Sequence, residues 1–91
     1  MSTVHDVYEE ALETPSSHID GYMRFLAWEA GVYRREAAVF PPFADQSLML
    51  HFGAMTDFHC FAAALDTKSG RSPDGNLLLA QLCERQTRQF R

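Results

Sequence analysis

Apolar side chains recur along this chain with helical spacing, and the clearest stretch lies between residues 17 and 40. Ile19, Met23, Leu26, Ala30, Tyr33, Ala37 and Phe40 are separated by alternating steps of four and three. That rhythm holds a stripe on one side of a helix and suits a seam against a second helix. Tyr22 widens the seam. Phe25, Trp28, Val32 and Val39 form a second apolar strip on an adjoining side, and Arg24, Arg34 and Arg35 take the remaining face. Two apolar faces on one helix imply two packing partners. Ser17 is the expected N-cap, with Asp20 in the first turn, where a carboxylate suits the helix dipole.

Pro41-Pro42 cannot continue this helix, so the chain turns. A third helix is predicted from Ala44 or Asp45 to about residue 65. Leu50, Ala54, Phe58, Phe61 and Leu65 make one stripe on it, and Leu48, Phe52, Met55 and Ala62 another. Only a thin strip of Gly53, Asp57, Cys60 and Ala64 is polar or small. A helix apolar nearly all round is central to a core or lies in an interface. The flanking segments give two shorter helices. Over residues 4–13, Val4, Val7, Tyr8, Ala11 and Leu12 share one stripe, Thr3 and Asp6 match a capping box, and Thr14-Pro15 ends the run. Over residues 74–89, after a loop spanning 67–75, the apolar set is Leu77, Leu78, Leu79, Leu82, Cys83 and Phe90. Ser72-Pro73 reads either as an N-cap followed by Pro at the first helical position or as a turn just before the helix. No segment alternates as a strand does. The fold class is therefore all-α: a single domain over residues 1–91, a small four-helix bundle built around a central antiparallel helical hairpin (helices at about 4–13, 18–40, 45–65 and 74–89).

Composition sharpens this picture at one point. Aromatic residues make up 12% of only 91 residues. That load is heavy for so small a core and implies apolar surface that meets a partner. Charge is uneven: residues 1–20 carry -5, residues 21–66 carry -2 and residues 67–91 carry +3, for a net -4. An acidic head and a basic tail can attract each other within a chain or between two chains. Overall acidity argues against nonspecific nucleic-acid binding, which needs several cations on one face. No apolar run comes near 18 residues, so no membrane span is expected. The first 20 residues contain no Lys or Arg and lack the apolar core of a secretory signal. Cys60 and Cys83 lack metal-type spacing and read as reduced, buried thiols of a cytoplasmic protein, with a disulfide as the alternative in an exported one.

Few residues suggest chemistry. His51 and His59 fall among apolar neighbours on the third helix, about 80° apart around its axis. In an antiparallel hairpin bent at Pro41-Pro42, positions whose numbers add to roughly 83 face each other. Glu29 then lies at a level between the two histidines, and the three could bind a metal ion or haem. Against this, Val32 and Val39 stand where a Glu-x-x-His pattern starting from Glu29 or Glu36 would place histidine. A hydrogen-bonded structural histidine is the simpler account. His59 and Cys60 are neighbours whose side chains diverge on a helix, so no nucleophile–base pair is evident. The loop containing Gly70 and Gly75 lacks a phosphate-cradling pattern. Arg85, Arg88 and Arg91 recur every three residues and could grip phosphate, but cations also suit a helix C-terminus.

The expectation is a cytoplasmic, non-enzymatic protein–protein interaction module without a cofactor. It would homodimerise, or bind and mask a larger protein such as a transcriptional regulator, as an anti-activator does. Phe25, Trp28 and Val32, flanked by Arg24 and Arg35, are the expected partner-binding surface, because Trp, Tyr and Arg dominate interface hot spots. A metal- or haem-binding bundle using His51, His59 and Glu29 is the alternative, and a nucleic-acid-binding regulator a weaker one.

Overall fold

The bend at Pro41-Pro42 fixes the register of everything around it. In the computed structural model, which describes residues 3–90, helix α2 (Ser16–Val39) ends at Phe40. A single 3-10 turn, Pro41–Phe43, reverses the chain, and α3 (Ala44–Lys68) runs back along α2. Tyr22 lies against Phe61, with ring centroids 5.6 Å apart, and His51 Nδ1–H donates to the Ala30 carbonyl at 2.7 Å. The facing rule that joins positions adding to roughly 83 therefore holds at both levels.

Helix α1 (Val4–Glu13) opens with the expected capping box. Thr3 Oγ1 accepts from Asp6 N at 3.1 Å, and Asp6 Oδ2 accepts from Thr3 N at 3.2 Å. The bond from Thr3 N, with the Thr3 hydroxyl adding to it, holds the Asp6 carboxyl below the usual carboxylate range. Helix α4 (Asp74–Gln89) has the predicted bounds, and Ser72 sits in a turn before it, where its Oγ accepts from Asp74 N at 3.3 Å. The four helices form a rod of 43 × 22 × 21 Å.

Several expectations are corrected. Ser17 does not cap α2, which begins at Ser16 after extended Pro15, and Asp20 lies beyond its first turn. Pro15 supplies the entry itself: its carbonyl accepts from His18 N at 2.8 Å. Helix α3 continues past residue 65 to Lys68, because nothing before Gly70 breaks it. There Gly70, at φ 77°, adopts the left-handed conformation. Arg71 N donates to the Asp66 carbonyl at 2.7 Å and Gly70 N to the Thr67 carbonyl at 3.1 Å, completing a Schellman cap.

The larger correction concerns packing. Helix α2 has one partner along its length, α3, rather than two; among the described residues α1 meets it only near its start, where Ile19 shares a core cluster with Ala11, and α4 does not run alongside it. Both flanking helices choose α3 instead, which is packed by all three others. Among the described residues the largest fully buried side chains are Ile19 and Cys60, and the rest of the deepest core is alanine: Ala11, Ala30, Ala63, Ala64 and Ala80. Alanine at these positions lets helix backbones approach closely but leaves little volume for aromatic rings. Five of the eleven aromatic side chains, Tyr22, Phe25, Trp28, Phe40 and Phe43, are consequently exposed. On α4, Leu78, Leu79 and Leu82 also face outward, because the buried face follows Ala80 and Thr87. An 18-residue window within Pro41–Lys68 reaches mean hydropathy 1.2, so this helix is long and apolar enough, by length and composition, to cross a membrane. The expectation of no such stretch came from counting unbroken apolar runs, which isolated polar residues such as Asp57 interrupt.

Candidate functional site

Helix α1 runs parallel to α3 and lies over its C-terminal end. Cys60 Sγ donates to the Val4 carbonyl at 3.5 Å, the Tyr8 hydroxyl is 2.7 Å from Thr67 Oγ1, and Lys68 Nζ donates to the Thr14 carbonyl at 2.7 Å. Beneath it Ala11, Ile19, Phe61 and Ala64 form the main core cluster, with Val7, Leu12, Met23 and Leu26 packed around it. Helix α1 has 10 residues and α3 has 25, so α1 covers only part of its partner.

Beyond the start of α1 the space between α2 and α4 stays open as a groove of about 930 Å³. Its floor is α3, from Met49 through Leu50, Gly53 and Ala54 to Asp57; one wall carries Glu29 and Tyr33 and the other Gln81, Glu84 and Arg88. Thr3, Val4 and His5 close one end. Among the charged side chains lining it, Glu29, Asp57 and Glu84 outnumber Arg88. Arg88 Nη2 is committed to Glu84 Oε2 at 2.9 Å, and His5 lies 3.5 Å from Glu9. Asp57 is half-buried. Burial, with the charges of Glu10 and Glu29 adding to it, pushes its carboxyl above the ordinary value.

The expected partner-binding residues lie on the outer side of α2. Phe25 and Trp28 are neighbours, with ring centroids 6.1 Å apart, and are 52% and 62% exposed. Val32 beside them is half-buried. Arg24 is exposed and lines a shallow hollow of about 410 Å³ with Asp20, Met23, Ala27 and Phe58. Exposed Arg35 lays its guanidinium over Gly31, 3.4 Å from where a β-carbon there would sit. Val39, Phe40 and Phe43 extend the apolar surface to the hairpin tip.

His51, His59 and Glu29 do not converge: among the described residues no group of three or more His, Cys, Asp or Glu side chains could hold a metal ion. His51 is held by Ala30, as above. His59 Nδ1–H donates to Asn76 Oδ1 at 3.1 Å, Asn76 Nδ2 donates to Asp66 Oδ2 at 2.7 Å, and Arg71 Nε donates to Asp66 Oδ1 at 3.1 Å. This chain of four side chains ties the end of α3 to the start of α4. Asn76, Asp66 and Arg71 were not singled out by sequence spacing, since only the docking of α4 brings them to His59. Both cysteines are free. Burial, reinforced by Asp57, pushes the Cys60 thiol up to about 12, and burial also raises that of Cys83, so both are protonated at neutral pH. Arg85 is exposed and Arg88 is ion-paired; Arg91, the third of that series, lies outside the described residues.

Fold and surfaces together define a small all-α protein with a thin alanine core, an open groove and an uncovered aromatic helix face. Comparison with protein-family models, with curated proteins and with solved structures found no match.

Proposed function

We propose that this chain is a small protein–protein interaction module that pairs with a second copy of itself and binds and masks a larger protein, such as a transcriptional regulator. The observation that carries this reading is the outer face of α2: Phe25 and Trp28 stand side by side and largely exposed on a helix packed along its length by α3 alone. Aromatic residues beside arginines are the usual anchors of interfaces, and a contiguous exposed apolar surface marks an interaction site. Val39 at the end of α2 and Phe40 and Phe43 at the hairpin tip are exposed as well, so apolar side chains lie on this helix from Phe25 to its C-terminal end. The polar side chains that first suggest chemistry are engaged in holding helices together, as with His51 on Ala30 and His59 on Asn76.

Native mass spectrometry on the untagged protein, copurified from its own host, tests the proposal. The expected species is a dimer or a mixed complex. Phe25→Asp and Trp28→Asp should each abolish association and leave helical circular dichroism unchanged. Association that survives both changes would refute the assignment of this surface, and a bare wild-type monomer would refute the function.

A further inference from the structure

We propose that the groove between α2 and α4 receives a basic amphipathic helix of a partner protein, laid end to end with α1 on the uncovered half of α3. This rests on the interaction reading above and names the chemistry of the partner.

The shape of the groove is that of a helix slot. Gly53, Asp57, Cys60 and Ala64 form one continuous small-residue strip on α3, at the i, i+4, i+7, i+11 spacing of a single helix face. Helix α1 occupies the Cys60–Ala64 end, where both residues are fully buried. The Gly53–Asp57 end is the groove floor. A Cβ on Gly53 would meet nothing within 4 Å, so the slot is unfilled there. From Met49 to Asp57 the floor is about 12 Å long, a little over two helical turns. Met49, Leu50 and Tyr33 supply apolar contact. A helix running in the direction of α1 would point its C-terminal carbonyls at the N-terminus of α1, an attractive alignment of the two dipoles.

Charge selects the occupant. Glu29, Asp57 and Glu84 line the groove. Among the described residues neither Glu29 nor Asp57 has a salt-bridge partner, and the one arginine present is already engaged by Glu84. Lysines or arginines flanking a narrow apolar stripe would pair with these carboxylates and leave the alanine–leucine floor to the stripe. An acidic or neutral helix would instead leave the carboxylates of Glu29 and Asp57 unpaired against it.

The test uses the full chain and a fluorescein-labelled synthetic helix of 14 residues. The peptide carries a leucine–alanine stripe flanked by lysines, and its twin has glutamate at every lysine. By fluorescence anisotropy the lysine peptide should bind saturably, more weakly as salt rises, and at least about tenfold more tightly than its twin. The near-isosteric double change Glu29→Gln and Asp57→Asn should weaken it about tenfold, with the urea midpoint showing that the fold is kept. Leu50→Asp should abolish binding, and Trp28→Asp should leave it unchanged. Equal binding of both peptides, indifference to the changes at Glu29, Asp57 and Leu50, or no binding would overturn the proposal. If Leu50→Asp dissolves a homodimer while the lysine peptide does not bind, the occupant is a second copy and the proposal fails. If the peptide does not bind but a complex sensitive to Trp28→Asp persists, the groove assignment fails and the interaction reading stands; if no association of any kind is seen, both fail.

Discussion

The two halves of α3 are built from similar residues and end in different states. Toward its C-terminus, Cys60, Phe61, Ala63 and Ala64 are buried, Phe61 and Ala64 in one cluster with Ala11 of α1 and Ile19 of α2. Toward its N-terminus, Leu50 is exposed and Met49 and Gly53 are half-covered floor of the groove. Hydropathy alone does not separate them, since apolar side chains surround the helix throughout. The difference lies in the length of α1, which at 10 residues spans about 15 Å, whereas α3 at 25 residues spans about 37 Å. A helix that is apolar on every side can therefore be core at one end and binding surface at the other. Which end is which depends on a neighbour rather than on the helix itself.

Paired truncations break or confirm this contrast most directly. Ile19→Ala removes a fully buried side chain from the roofed half and should cost about 2–4 kcal/mol of unfolding free energy. Leu50→Ala in the open half should cost less than about 1 kcal/mol. Urea midpoints at constant slope measure both, and equal losses would mean that the groove is closed in solution.

A smaller effect is expected at the boundary between the halves. Thr3 caps α1 where the roof ends. Thr3→Ala removes the side chain that accepts from Asp6 N and should cost about 1 kcal/mol. Amide exchange should show the loss as faster opening of the first turn of α1, with the hairpin unaffected. Exchange that quickens equally in α2 would show that the roof and the hairpin unfold as one unit.

Acidification separates the halves by sign. In the groove, the folded-state pKa of Asp57 lies above its ordinary 3.8, so its ionised form opposes folding at neutral pH. Stability from this group rises as pH falls through the folded value and levels off below 3.8. At the roof, the folded-state pKa of Asp6 lies below 3.8, so its contribution is present above that pH and is lost as pH falls through the folded value. Thermal melts from neutral pH down to pH 3 should show a shallow rise before the fall. Asp57→Asn should remove the rise and leave the fall, with a net change smaller than that of the lost cap because Asp57 is only half-buried. A mutant that keeps the rise would locate it elsewhere.

Much of this was legible in the sequence, and the reasons are local. The 4-3 seam of α2, the proline bend and the Thr3–Asp6 box each depend on near neighbours, so they fix element bounds and the pairing of Tyr22 with Phe61. The small strip Gly53, Asp57, Cys60, Ala64 was also visible, but not its use as a slot, because which helix fills it depends on how a two-residue linker at Thr14-Pro15 aims α1. The same dependence misled the count of partners for α2. The link from His59 through Asn76 to Asp66 joins α3 to α4, and no spacing rule reaches across a loop whose geometry Gly70 sets.

The smallest expected change in stability belongs to the outer face of α2, and its smallness is the point. Trp28 is 62% exposed, and among the described residues Phe25 is its one aromatic neighbour. Trp28→Asp therefore removes little buried area and should shift the unfolding free energy of the monomer by no more than about 0.5 kcal/mol. The same substitution places a charge in the middle of the proposed interface, where it should abolish association. Stability measured at a concentration where the protein is monomeric, set beside oligomeric mass at high concentration, separates the two effects. A destabilisation comparable to that of Ile19→Ala would mean that Trp28 is core and that another segment covers it in solution. Near-neutral stability with association lost would mean that the aromatic load too large for this core is carried for a partner.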